Sequence, residues 1–198
     1  MPRSFRWAIL IAVILGFQVA LSAAFDVEEA FHIDNPSAFR EARSLPGTGL
    51  SPRGEQELWL AQRSAYQSAL SGMLPWRPLA SVALALAAGA VFVLAMRVRV
   101  SPRREAAITL GRAALVTAVL RTIDGAFTLV VARAVTEAAT TVLVEQKVPE
   151  VEWSAPLLTR AAMASSVVVS FIVVAVFMGL GSYFRSQKLH AQLVERED

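Results

Sequence analysis

Hydrophobic and polar positions fall in long blocks along this chain. Trp7–Phe25, Leu79–Met96 and Ala161–Phe184 contain no charged residue. A further block, Arg112–Arg133 (RAALVTAVLRTIDGAFTLVVAR), is similarly apolar but holds Arg121 and Asp124 near its middle. A helix needs about 20 mostly apolar residues to cross the hydrocarbon core of a bilayer. The pattern therefore predicts an all-α fold: an integral membrane bundle of four transmembrane helices at 7–25, 79–96, 106–133 and 157–184.

The connections between blocks carry their own signals. Residues 1–6 are a short basic head. Residues 26–78 form a polar segment in which Asn35-Pro36 and Ser51-Pro52 read as N-caps followed by proline at the first helical position. Leu45–Gly49 separates the two helices those caps predict. The second, about Pro52 to Ser71, gathers Leu58, Trp59, Ala65, Tyr66, Ala69, Leu70 and Met73 on one side, as a helix covering apolar surface does. Residues 97–105 are basic, and Ser101-Pro102 reads as another helix start. The helix it opens runs on to about Glu145, before Val148-Pro149 breaks it. Residues 134–156 are acidic, and 185–198 form a tail of mixed charge. Trp76-Arg77-Pro78-Leu79 and Trp153-Ser154-Ala155-Pro156-Leu157 echo each other ahead of two spans. We read the echo as shared interface chemistry, since nothing else repeats.

Composition supports the membrane assignment. Of 198 residues 55% are hydrophobic and 18% charged, against about 45–50% and 25% in ordinary soluble domains; the mean hydropathy is +0.51. There is no cysteine, which excludes disulfides, thiolate metal sites and thiol redox chemistry within this chain. The pI is near 9.9, yet the formal net charge is only +3. The basic residues also sit beside apolar blocks, which argues for topology signals and against a nucleic-acid surface. Lys147 and Lys188 are the only lysines; with the alanine content, this arginine bias points to a bacterial source.

Charge also predicts orientation. Basic flanks mark the cytoplasmic side, which puts Arg3, Arg6, the Arg97–Arg104 cluster, Arg185 and Lys188 inside. The acidic connections then lie outside, making 26–78 a small helical extracytoplasmic segment between helices 1 and 2. The expected location is the cell inner (plasma) membrane, multi-pass, with both termini cytoplasmic. Ser22-Ala23-Ala24 resembles a signal-peptidase site, but the first apolar block is long for a signal sequence and the expectation is that it stays. Cleavage would leave three spans without inverting any.

The third span carries the candidate chemistry. On a helical wheel Thr117, Arg121, Asp124 and Thr128 fall within one narrow arc, with Ala114, Gly125 and Ala132 beside them. Val116, Val119, Leu120, Ile123, Phe127 and Val130 cover the other side. The nine large apolar residues from Leu115 to Val131 contribute roughly −3 to −5 kcal/mol of insertion energy, while Arg121 and Asp124 together cost roughly +5 to +7. Such a span needs neighbours. If it did not cross, the last helix would leave its basic end outside, so the tail charge argues independently that it crosses.

Ion pairs at membrane depth are functional-site hypotheses, and Arg121 and Asp124 are spaced to pair. Structurally, the pair is a neutralised strut, with Gln18, Ser166, Ser170 or Arg160 from other helices as its expected partners. Small residues recur every four positions on three spans, and Gly16, Ala20, Ala85, Gly89 and Gly125 are the expected close-packing sites. His32, beside Glu28, Glu29 and Asp34, matches no ligand spacing. With His32 and His190 the only histidines, no metal site and no cofactor are expected. Phosphate loops, metalloprotease motifs and nucleophile elbows are absent from the sequence. The expected role is a non-enzymatic subunit, scaffold or accessory protein of a membrane assembly, whose partners are the lipid bilayer and either another membrane protein or further copies of itself. The alternative is a small oligomeric transporter or channel that uses Arg121 and Asp124.

Overall fold

The computed structural model describes residues 3–32, 50–146, 149–187, 189 and 191; for 149–156, 158, 159 and 162 only the backbone is described. It is all-helical, with no strand among the described residues. The elements in order are α1 (Arg3–Phe31), α2 (Pro52–Gly72), α3 (Trp76–Val100), α4 (Arg104–Glu145) and α5 (Pro149–Phe184). Four helices are long and apolar enough to cross a membrane: α1, α3, α4 and the Met163–Phe184 part of α5. The helix expected after Asn35-Pro36 lies outside the described residues.

Local chemistry explains most helix limits. The Ser51 hydroxyl accepts from the Gly54 N–H at 3.2 Å, Pro52 takes the first helical position, and Glu55 adds negative charge to the first turn of α2. Each feature satisfies or complements free N–H groups at a helix start. Ser101-Pro102 behaves differently from expectation. The Ser101 N–H donates to the Arg97 carbonyl at 2.8 Å, so Ser101 closes α3 rather than capping α4. Arg97 and Arg99 stand in the last turn of α3, where cations stabilise the free carbonyls and carry that helix further. α4 then begins at Arg104, where the Ala107 N–H bonds the Arg103 carbonyl at 3.0 Å. α4 has 42 residues, about 63 Å at 1.5 Å per residue, roughly twice the hydrocarbon thickness of a bilayer. α5 opens with Pro149 at its first position.

The chain divides into two compact units. The first comprises Met1–Val27, Leu79–Asp124 and Ser170–Asp198, and its helices share one burial pattern. On α1 the buried residues are Phe5, Ile9, Ala12, Gly16, Val19 and Ala23. On α3 they are Ser81, Leu84, Ala88, Val91, Ala95 and Val98. α4 continues the alternating steps of three and four with Ala107, Leu110, Ala114, Thr117 and Asp124, and α5 with Phe177, Leu180 and Phe184. A repeat averaging 3.5 residues per turn is the coiled-coil period and favours left-handed crossing of neighbouring helices.

Alanine and glycine occupy many of these positions, which lets backbones approach closely. A Cβ added to Gly16 would lie 2.9 Å from the Phe92 backbone nitrogen and 3.1 Å from the Ala88 carbonyl oxygen, so α1 and α3 touch there. α4 and α5 meet similarly, since a Cβ on Gly111 would be 3.0 Å from the Gly181 carbonyl and one on Gly181 would be 3.1 Å from the Gly111 carbonyl. Aromatic rings pack in the same core, with Phe5 and Phe184 edge-to-face at 6.1 Å. Outward faces remain apolar, as at Ile14, Leu21, Leu86, Val93, Val119 and Phe171, all exposed.

The second unit comprises Glu28–Pro78 and Gly125–Val169. Leu58 and Leu70 of α2 are buried. Gln146 Nε2 donates to Glu57 Oε2 at 2.9 Å, joining the start of α2 to the end of α4.

Candidate functional site

Arg121 and Asp124 occupy adjacent positions of the buried seam of α4, seven and ten residues after Ala114. At a separation of three residues on a helix their side chains meet on one face. Arg121 Nη1 donates to Asp124 Oδ2. Asp124 is 1% exposed, whereas the Arg121 side chain retains 18% exposure. Arg121 Nε is buried and has no hydrogen-bond partner. One turn earlier, the fully buried Thr117 donates its hydroxyl to the Ala113 carbonyl of its own helix at 2.9 Å. That bond spends the only hydrogen Thr117 can donate on its own backbone.

Burial around α4 follows the polar arc. Ala114, Thr117 and Asp124 are buried, and Arg121, Gly125, Thr128 and Ala132 half-buried. Val116, Val119, Ile123 and Val130 are exposed, while Leu120 and Phe127 sit at the edge of the arc, half-buried. A wheel drawn at 3.6 residues per turn identifies the polar face but blurs its margins, because the seam repeats nearer 3.5.

The remaining residues singled out in the sequence are distributed more widely. Gln18 and Arg160 are exposed, and Ser166 and Ser170 half-buried. Among the small residues, Gly16 is a backbone contact, and Ala20 and Ala85 pack partly buried against the core. A Cβ on Gly89 would meet nothing within 4 Å. The reciprocal glycine contact, Gly111 with Gly181, belongs beside Gly16 and was not singled out. Its available signal was a glycine within an apolar helix, where backbone entropy disfavours it unless something approaches closely.

A second polar cluster ties three helices of the second unit. Tyr66 of α2 donates its hydroxyl to Glu29 Oε2 near the end of α1. Arg77, at the start of α3, is 8% exposed and lies close enough to act on the same phenol. Burial, then the hydrogen bond and charge of Glu29, raise the Tyr66 pKa above its ordinary value, with Arg77 opposing. Tyr66 therefore remains a protonated donor, and the carboxylate, phenol and guanidinium make a cross-brace. His32 has a local role: its Nδ1 lies 3.0 Å from the Glu28 carbonyl, where it caps the end of α1. His190 lies outside the described residues.

No protein-family model, curated protein or solved structure matches this chain.

Proposed function

We propose that this chain is a multi-pass protein of a bacterial inner membrane that serves as a non-enzymatic subunit or scaffold of a membrane assembly. One observation carries the reading: Asp124, at 1% exposure, is paired with Arg121 of the same helix. A carboxylate engaged by its own helix is neutralised where it stands, which suits a structural strut in a low-dielectric interior. The apolar outer faces suit contact with lipid or with another membrane protein.

In the membrane arrangement that we propose, both termini and the 97–105 loop are cytoplasmic, and 26–78 is extracytoplasmic. Arginine-rich flanks at each cytoplasmic position support this, as does the length of α4, whose excess over one bilayer extends it into the acidic side. Reporter fusions after Arg99 and after Glu150 are expected to report opposite sides of the membrane. The same side for both would overturn the arrangement.

The role is tested by purification in detergent with co-purifying proteins identified by mass spectrometry. A partner at stoichiometric level is the expected result. A clean homo-oligomer would transfer the weight to the second reading, a small oligomeric transporter or channel. One feature favours that reading: Arg121 Nε is buried with no acceptor, leaving a donor for a passing anion. The subunit reading is the stronger because the other end of the same guanidinium is already engaged.

A further inference from the structure

Arg6 of α1 and Arg99 of α3 line one groove of about 390 Å³, together with Ile9, Leu10 and Val13. All five residues belong to the first unit. Both arginines are exposed, and neither enters an ion pair among the described residues. Along α1 the lining residues stand at i, i+3, i+4 and i+7, which is a single helix face. From Arg6 to Val13 that face advances about 10 Å along the helix axis. The groove therefore has two guanidinium groups at the chain-end side and an apolar wall running towards the middle of the span.

This order of chemistry matches one class of molecule. Guanidinium groups bind phosphate oxygens through paired N–H donors, and basic residues beside a span attract anionic lipid headgroups. A free inorganic anion would engage the arginines but make no use of Ile9, Leu10 and Val13. A zwitterionic lipid would bring its own cation towards Arg6 and Arg99. A second groove, lined by Arg97, Arg103, Ser101, Glu105 and neighbouring residues, includes a carboxylate that offsets its positive charge and so provides a natural control.

We propose that the Arg6–Arg99 groove binds an anionic phospholipid, its phosphate on the two guanidinium groups and an acyl chain along Ile9, Leu10 and Val13. The inference rests on the membrane reading above. The groove then opens to the cytoplasmic leaflet, where the surface is negative.

Native mass spectrometry of the detergent-solubilised full chain tests it, with phosphatidylglycerol and phosphatidylcholine offered at equal concentration. The expected result is about thirtyfold greater retention of phosphatidylglycerol, the order that two juxtamembrane arginines supply. The preference should disappear in Arg6→Ala/Arg99→Ala and persist in Arg97→Ala/Arg103→Ala, with both variants retaining the parent's helical circular dichroism and melting temperature. Leu10→Asn should weaken retention while both arginines remain. A parent chain with no preference overturns the proposal. Equal loss in the two double variants also overturns it, because that is the behaviour of diffuse charge. Full displacement by excess inorganic phosphate overturns it as well, since a free-anion site would then suffice. The lipid is added to micelles, so an error in membrane topology would appear in the reporter fusions and leave this preference intact.

Discussion

Replacing Asp124 with alanine is expected to destabilise the helical bundle by about 3–5 kcal/mol, the range for removing one partner of a buried ion pair. For a chain of this size that is a fall of roughly 10 °C in melting temperature, read by circular dichroism in detergent. The cost arises mainly from what remains. Arg121 already has Nε buried without a partner, and the substitution would strip Nη1 of its acceptor too. A lone arginine at the centre of a span adds about 2.5–3.5 kcal/mol to insertion, so the variant should also insert less efficiently. Asp124→Asn retains an oxygen acceptor but loses the charge, and should fall between parent and alanine variant. Arg121→Met/Asp124→Ala removes both charges and should recover most of the lost stability, because apolar replacements of buried pairs are often neutral or better. If Asp124→Ala melts with the parent, the pair is not a buried unit. The double variant also separates the two functional readings. A scaffold retains its partner without the charges, whereas a transport pathway built on them loses its activity.

What could be read in advance depended on how local the determining chemistry was. Ser51-Pro52 opens α2 as its residues predict, because one hydroxyl and one fixed φ within a single turn decide the start. The polar arc of α4 was similarly legible, since Thr117, Arg121 and Asp124 lie on one helix. Ser101-Pro102 acts differently because the same dipeptide signal competes with the end of the preceding helix, where Arg97 and Arg99 favour another turn. The Tyr66–Glu29 bond joins residues 37 apart in sequence, and on its own helix Tyr66 is merely one more member of an apolar side. Gly111 and Gly181 identify each other only when α4 and α5 are laid together. Spacing of small residues by four was visible, but close contact follows the alternating three-and-four seam, which contains Gly16 and omits Gly89.

That last distinction gives the second prediction: Gly16→Ala should destabilise the bundle by about 1–3 kcal/mol, the usual cost of overpacking a filled interior. All three atoms nearest to the added methyl are backbone, namely Phe92 N, Ala88 O and Phe92 Cα, at 2.9, 3.1 and 3.2 Å. No rotamer change can make room, so α1 and α3 must separate along the contact. Separation would also loosen the seam on either side, where Ala12 and Val19 are buried. Gly89→Ala makes the contrast, because its methyl would meet nothing within 4 Å. Alanine removes the backbone entropy that glycine loses in a helix, so this variant should match the parent or exceed it by up to about 1 kcal/mol. Denaturant titration in one detergent measures both variants against the same parent. Equal losses would mean that close approach does not decide which glycine matters, and would place α1 and α3 farther apart than Gly16 requires. A loss confined to Gly16→Ala ties the stability of the bundle to one backbone contact, with α1 held against α3 where no side chain fits between them.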